Sequence, residues 1–243
     1  MKRYENRAVS LRGSKTLILM ATVKKATFEK QLLDDNQIIT LYINSVLENN
    51  EPPKNVYLFC KQNNIEETEF YTFFGSFDAV KQAIWVKFFE NATEAIAKEP
   101  TYHSFTNKNK LLTLYFTLFE ILTLNRSYIL YSLKDNKEGL KNLRDLSLFR
   151  NHFKDFIVNL LKSDTAEKDR KVAKVTGPVF SEGGWLQFLF ILKFWLDDHS
   201  KGFEKTDIVI EKSVNTVVDL LNTKPLENLL DLGKFLWKES KMR

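Results

Sequence analysis

Apolar residues recur along most of this chain at the three-and-four spacing of a helix face, and seldom at the every-second spacing of a strand. Ile39, Tyr42, Ile43, Val46 and Leu47 form one such stripe and predict a helix over residues 38–47. Pro52-Pro53 ends it, because proline has no N–H to donate and cannot continue the helix. Short helices are predicted over 54–62, burying Val56, Phe59 and Cys60, and over 66–73. Asn63-Asn64 between them suits a left-handed corner, which asparagine tolerates. Gly75 breaks the second, and Ser76 caps a long helix over 77–98 that stops before Pro100. Thr106 caps the next, which runs to about residue 124 with Leu111, Leu114, Tyr115, Leu118, Phe119 and Leu122 on one face. Further helices are predicted over 127–135 and over 140–162, the latter with Leu143, Leu146, Phe149, Phe153, Phe156 and Leu160 inward. Residues 163–176 are polar and charged and read as a loop. Ser181 is placed as the cap of a very apolar helix over 182–198. Lys201-Gly202 turns the chain into a helix over 204–221, and a last helix follows Pro225 over 226–238.

Composition supports this reading. Eight glycines and five prolines in 243 residues are too few for a sheet-rich fold, which needs a turn residue every few positions, so the predicted class is all-α. The chain is 44% hydrophobic, with 20 Phe, 8 Tyr and 4 Trp. That is enough to build a core and excludes disorder over most of the length. A single cysteine excludes a disulfide framework and a cysteine metal cluster. Three histidines leave little for metal or histidine-based catalysis.

The formal charge of +5 changes meaning once it is localised. Residues 1–30 carry eight basic and two acidic side chains; the other 213 carry 28 basic and 29 acidic ones. A basic balance usually signals an anionic partner, but here the signal belongs to residues 1–35, read as a flexible basic arm. Serine-bearing and poor in acids, this stretch also fits a transit peptide, although a basic arm is the commoner explanation, and Met20 offers an alternative start. No run approaches the roughly 20 apolar residues of a spanning helix, and the expected location is cytoplasmic.

No catalytic constellation survives inspection, and neither an enzyme nor a cofactor is expected. Asp197-Asp198-His199 suggests a metal, but adjacent residues at a helix end face different ways. A solvated cap, with the histidine favouring the helix C-terminus, is the simpler reading. Cys60 lies on an apolar face and reads as packing. Gly183-Gly184 has neither the preceding strand nor the following Lys-Ser of a phosphate loop.

The three helices over 38–80, in the order long, short, short, end in the stretch Phe70-Tyr71-Thr72-Phe73-Phe74-Gly75-Ser76-Phe77-Asp78-Ala79-Val80. This resembles the helix-turn-helix of the TetR family of transcriptional regulators, with Ile65 for the valine of the turn, Phe70-Tyr71 for the aromatic pair, Phe74-Gly75-Ser76 for Phe-Gly-Ser, and Asp78 and Val80 for the acidic residue and leucine after it. The resemblance implies a helix-turn-helix domain over 36–80 and a helical ligand-binding and dimerisation domain over 81–243. It implies DNA reading by Thr68, Tyr71 and Thr72, with Lys54, Lys61 and the arm on phosphate. The chain departs from the family where a small polar and a basic residue usually open the recognition helix. It has Glu66, Glu67 and Glu69 there, and Phe77 in place of the lysine after Gly-Ser. Residues 38–80 carry two basic and six acidic side chains, which opposes the phosphate neutralisation on which DNA affinity rests.

By the same resemblance, the helices over 182–198 and 204–221 form a four-helix interface with a second copy, through Phe188, Leu192, Trp195, Ile210, Val214 and Val217. Phe116, Phe119, Tyr128, Tyr131 and Trp185 line a pocket for a small apolar ligand. For each of these residues, ordinary core is the competing reading.

The stretch from Trp195 to Thr206, followed by Ile210 and Val214, is similar to a region of the coenzyme Q accessory lipid-binding family. Its members share the TetR fold without acting on DNA. That similarity implies an alternative function, a lipid- or isoprenoid-binding accessory protein. Leu226, Leu229, Leu230, Leu236 and Trp237, with nearby basic residues, would then let the segment 226–238 touch a membrane interface. Packing of that stripe on the protein's own body competes with this.

Overall fold

The computed structural model describes residues 33–134, 143–162 and 170–221, all within the larger of the chain's two units. Residues 1–32 of the arm expected over 1–35, the segments 135–142 and 163–169, and everything after residue 221, including the predicted helix over 226–238, lie outside the described residues; the end of the expected arm is instead the cap and first residue of a helix, Asp34 and Asp35. Among the described residues the regular structure is entirely helical, as an all-α class requires.

Three helices open the fold: α1 (Asp35–Asn49), α2 (Val56–Asn63) and α3 (Glu67–Phe73). Asp34 caps α1 by accepting from the Gln37 N–H at 2.7 Å, while the Gln37 side chain accepts from the Asp34 N–H at 3.1 Å. This reciprocal pair satisfies two of the donors that a helix start leaves open. The corner after α2 is made at Asn64, with φ 55°, as the asparagine pair predicts. The stripe on α1 is buried at Ile39, Tyr42, Ile43 and Val46, but Leu47 is exposed. Phe77 explains its own departure from the family's lysine. Its ring lies 5.4 Å from Tyr42, 5.5 Å from Phe59 and 5.7 Å from Phe70, so it closes the small core on which all three helices rest.

The long helix α4 (Phe77–Ala97) is capped by the Ser76 hydroxyl, which accepts from the Ala79 N–H at 3.3 Å. It runs unbroken through residues 80 and 81, the expected domain boundary, and packs against both parts. Beyond it come α5 (Asn107–Leu124), α6 (Arg126–Lys134), α7 (Ser147–Lys162), α8 (Arg170–Leu196) and α9 (Glu204–Leu221). The buried face of α5 is the predicted stripe, residue for residue.

The core of this part is aromatic. The Phe188 ring lies 4.9 Å from Phe149, 5.3 Å from Trp185 and 5.5 Å from Phe153, and Phe149 lies 5.6 Å from Phe89 of α4. Burying each such side chain contributes about 1.5–3 kcal/mol, and edge-to-face geometry adds to it. Gly184 lets α8 approach α7 closely: a Cβ there would stand 3.2 Å from Ile157 Cγ1.

Two predicted boundaries are corrected. The helix expected over 140–162 is, in its described part, a single 3-10 turn at Arg144–Leu146 followed by α7 from Ser147. The loop expected over 163–176 gives way to helix at Arg170, and α8 continues through Gly177-Pro178 to Leu196. Ser181 is therefore not a cap; it is buried inside the helix. Val172, Val175, Val179, Leu186 and Phe190 keep helical spacing through the stretch, a signal masked by the surrounding charges and by a Gly-Pro pair that usually ends a helix.

Candidate functional site

The five residues expected to meet DNA stand on the three-helix head. Lys54 precedes α2, Lys61 lies on its last turn, and Thr68, Tyr71 and Thr72 lie on α3; all five are exposed. The Lys61 ammonium sits 5.9 Å from the centre of the Tyr57 ring, and the Thr72 hydroxyl donates to the Thr68 carbonyl at 2.9 Å. Buried Phe70 anchors α3 from below. This is the arrangement a helix needs to present one face outward. The face is mixed in character. Glu66, Glu67 and Glu69 crowd the start of α3, and the Glu69 carboxylate accepts from the Glu66 N–H at 3.3 Å. A backbone donor that would suit a phosphate is thus turned to a carboxylate.

The five expected ligand-lining residues are dispersed. Phe119 and Trp185 belong to the aromatic core, Phe119 lying 6.0 Å from both Phe188 and Trp195. Phe116 points outward from α5. Tyr128 is buried and Tyr131 half-buried on α6. Burial pushes the Tyr128 phenol well up, helped by the fields of Tyr42 and Asp145. Burial likewise raises Tyr42 and Asp145. These groups mark the place where α1, α6 and the 144–146 turn meet. Deeper in, a polar chain crosses the apolar interior: the Tyr115 hydroxyl lies 3.3 Å from the Gln187 oxygen, whose amide nitrogen donates to the Ser213 hydroxyl at 3.2 Å.

The residues expected at a dimer contact are placed differently from the expectation. Phe188, Leu192, Trp195, Ile210 and Val214 are fully buried within the protomer, and Val217 is half-buried. A side chain with no surface left cannot meet a partner. The outward faces of the same helices carry other apolar groups: Val179 at 62%, Leu186 at 65% and Phe190 at 57% exposed on α8, and Ile208 at 50% on α9. Val179, Leu186 and Phe190 lie seven and four residues apart, one stripe along α8.

The end of α8 holds the most elaborate polar site, one that the sequence reading missed. Asp198, expected as a solvated cap, is 4% exposed. Its carboxylate accepts from the Ser200 N–H and hydroxyl at 2.8 and 2.7 Å, and from the Thr206 N–H and hydroxyl at 3.0 and 2.7 Å. Burial alone would raise this carboxyl, but the four donors outweigh it and hold the pKa down at about 2. The neighbours differ: Asp197 is exposed and pairs with Lys193 at 3.0 Å, and His199 is exposed. The three do not converge. Among the described residues, no three His, Cys, Asp or Glu side chains are grouped to hold a metal ion. No described helix is long and apolar enough to cross a membrane. Cys60 is buried with its thiol pKa raised, as packing requires.

A family model described as a tetracyclin repressor-like, C-terminal domain matches residues 110–236 of the chain, more than half its length. The match supports the first of the two resemblances and gives none to the coenzyme Q accessory family. A comparison with curated proteins gives no match.

Proposed function

Because the chain belongs to the TetR family, we propose that it is a homodimeric regulator that contacts DNA through α1–α3 and responds to a small apolar ligand held among its later helices. On this reading residues 36–80 are the DNA-contacting domain and the helices after residue 80 the ligand and dimer domain. The observation that carries the DNA part is the exposure of Lys54, Lys61, Thr68, Tyr71 and Thr72 together on the head, with Phe59, Phe70 and Phe77 fixing the helices that present them. The dimer surface is the outer stripe of α8 and α9, Val179, Leu186, Phe190 and Ile208. A row of large apolar side chains on two adjacent helices is the kind of patch a second copy covers. Duplex retention measured between about 50 and 200 mM salt tests the DNA part, since each neutralised phosphate adds close to one to the log–log slope. No retention at the lowest salt, for the full chain, overturns it.

A second reading is favoured by the carboxylates of Glu66, Glu67 and Glu69 at the start of α3. On that reading the protein keeps the head for its packing and serves as a lipid- or isoprenoid-binding accessory protein. Native mass spectrometry of protein prepared without detergent separates the two. A co-purified apolar ligand with no duplex retention supports the accessory protein, and an empty dimer that retains duplex supports the regulator.

A further inference from the structure

Arg126 is the first residue of α6, and its guanidinium is set against the end of α8. It donates to the carbonyls of Trp195 at 2.9 Å, Leu196 at 3.0 Å and Asp198 at 3.4 Å. They lie at the negative pole of the α8 dipole, and the Trp195 carbonyl also accepts from the Asp198 N–H at 3.2 Å. Two rings cover the cation, with their centroids 4.3 Å away for Trp195 and 4.6 Å for Phe203. The Trp195 indole N–H in turn donates to the Thr123 hydroxyl at 3.1 Å. Phe203 holds φ 57°, a left-handed conformation that a bulky residue keeps only when its surroundings impose it. Asp198, with its four donors, fixes the turn between α8 and α9 around the same cation. Lysine would not serve, because a point charge lacks both the planar fork and the flat face that stacks.

The body of α6 meets both α5 and the first helix of the head. Tyr128 and Ile129 are buried, and α6 packs on α1. α6 is nine residues long. It touches the first helix of the head along its body and the α8–α9 turn through its first side chain.

We propose that Arg126 is a coupling latch, through which the arrangement of the α8–α9 turn sets the position of α1. It rests on the reading of α1–α3 as the working head only for its biological use. The latch itself is testable in the free chain, with no DNA and no identified ligand.

The test is amide hydrogen exchange on the full chain. Arg126→Lys keeps the charge but loses the fork. It is expected to raise exchange at least tenfold both at residues 198–206 and in α1, while the amides of Phe149–Phe153 and Trp185–Leu192 stay unchanged. Ile157→Val, brought to the same margin below its melting temperature, is the control for general loosening. A rise confined to 198–206, or an α1 rise no larger than in the control, overturns the proposal. Phe203→Gly, which relieves the strained φ while removing one ring, serves if Arg126→Lys does not fold, and the same pattern is expected at smaller amplitude. Coupling is reciprocal. Tyr42→Leu on α1 is therefore expected to raise exchange at 198–206 in the wild-type background and to have no such effect with Arg126→Lys present. Equal effects in both backgrounds also overturn the latch.

Discussion

Gly184 of α8 stands so close to Ile157 of α7 that a Cβ at residue 184 would lie 3.2 Å from the isoleucine Cγ1, whereas a Cβ at Gly183, one residue earlier, would meet nothing within 4 Å. Two adjacent glycines in one helix thus have opposite reasons to be there. Gly184 is a spacer between packed helices, and Gly183 is a surface position without a partner inside the protomer.

Gly184→Val is therefore expected to destabilise the fold by about 1–3 kcal/mol through overpacking. Gly183→Ala is expected to stabilise the protomer by up to about 1 kcal/mol, because alanine loses less backbone entropy in a helix. Thermal unfolding of the two variants checks this, at roughly 2–4 °C per kcal/mol for a chain of this size. A stabilising Gly184→Val would disprove the close approach.

Asp198→Asn is expected to lower stability by about 2 kcal/mol at neutral pH, since the neutral amide accepts from fewer of the Ser200 and Thr206 donors. The sign with pH follows from the depressed pKa. A carboxyl held at about 2 against about 3.9 unfolded stabilises the folded state above about pH 4 and loses that contribution as the pH falls toward 2. Melting temperatures of the two proteins should converge on acidification. A gap of constant size from pH 6 to pH 2 would show that the carboxylate charge is not what holds the turn.

Leu186→Glu with Phe190→Glu is expected to leave a folded monomer, because both side chains are exposed in the protomer. Phe188→Ala is expected to cost about 3–5 kcal/mol in folding while leaving association intact, because its ring is buried among Phe149, Phe153 and Trp185. Light scattering after size exclusion, read beside circular dichroism, separates the outcomes. A dimer that survives both glutamates moves the interface elsewhere.

Replacing Glu66 and Glu67 by glutamine removes two carboxylates that oppose a duplex. Duplex affinity at low salt is expected to rise about tenfold, with little change in melting temperature since both side chains are largely outside the core. If retention is absent before and after the change, the head does not bind DNA at all.

Much of this fold is legible in the sequence. The stripe of α5 gives its buried face without error, and Asn64 and Ser76 mark a corner and a cap where the backbone puts them. The start of α8 is hidden because Gly177-Pro178 and the charges before it carry the local signals of a loop, while the tertiary packing that sustains the helix is not local. Five of the six residues expected at a dimer contact prove to be buried inside the protomer, for a related reason. Around the later turns of α8, over residues 185–196, almost every position is apolar, and periodicity cannot distinguish the side that packs on Phe149 from the side carrying Leu186. Arg126 and Asp198 are invisible for a third reason. The partners of Arg126 are backbone carbonyls as far as 72 residues away along the chain, those of Asp198 are the N–H and hydroxyl groups of Ser200 and Thr206 across a turn, and an isolated Arg or Asp in a sequence looks like surface.

The continuous run of α4 from Phe77 to Ala97 has a consequence for exchange between proteins. Its first turns hold Phe77 and Val80 against α1–α3, and its later turns hold Trp85 and Phe89 against Phe149 and Phe153. A head grafted from another regulator at residue 80 would cut within the second turn of that helix, separating Phe77 of the head core from Trp85 and Phe89 of the other. A junction that keeps α4 whole must move to Lys98 or beyond, so recombination between such proteins transmits the head together with the helix that supports it.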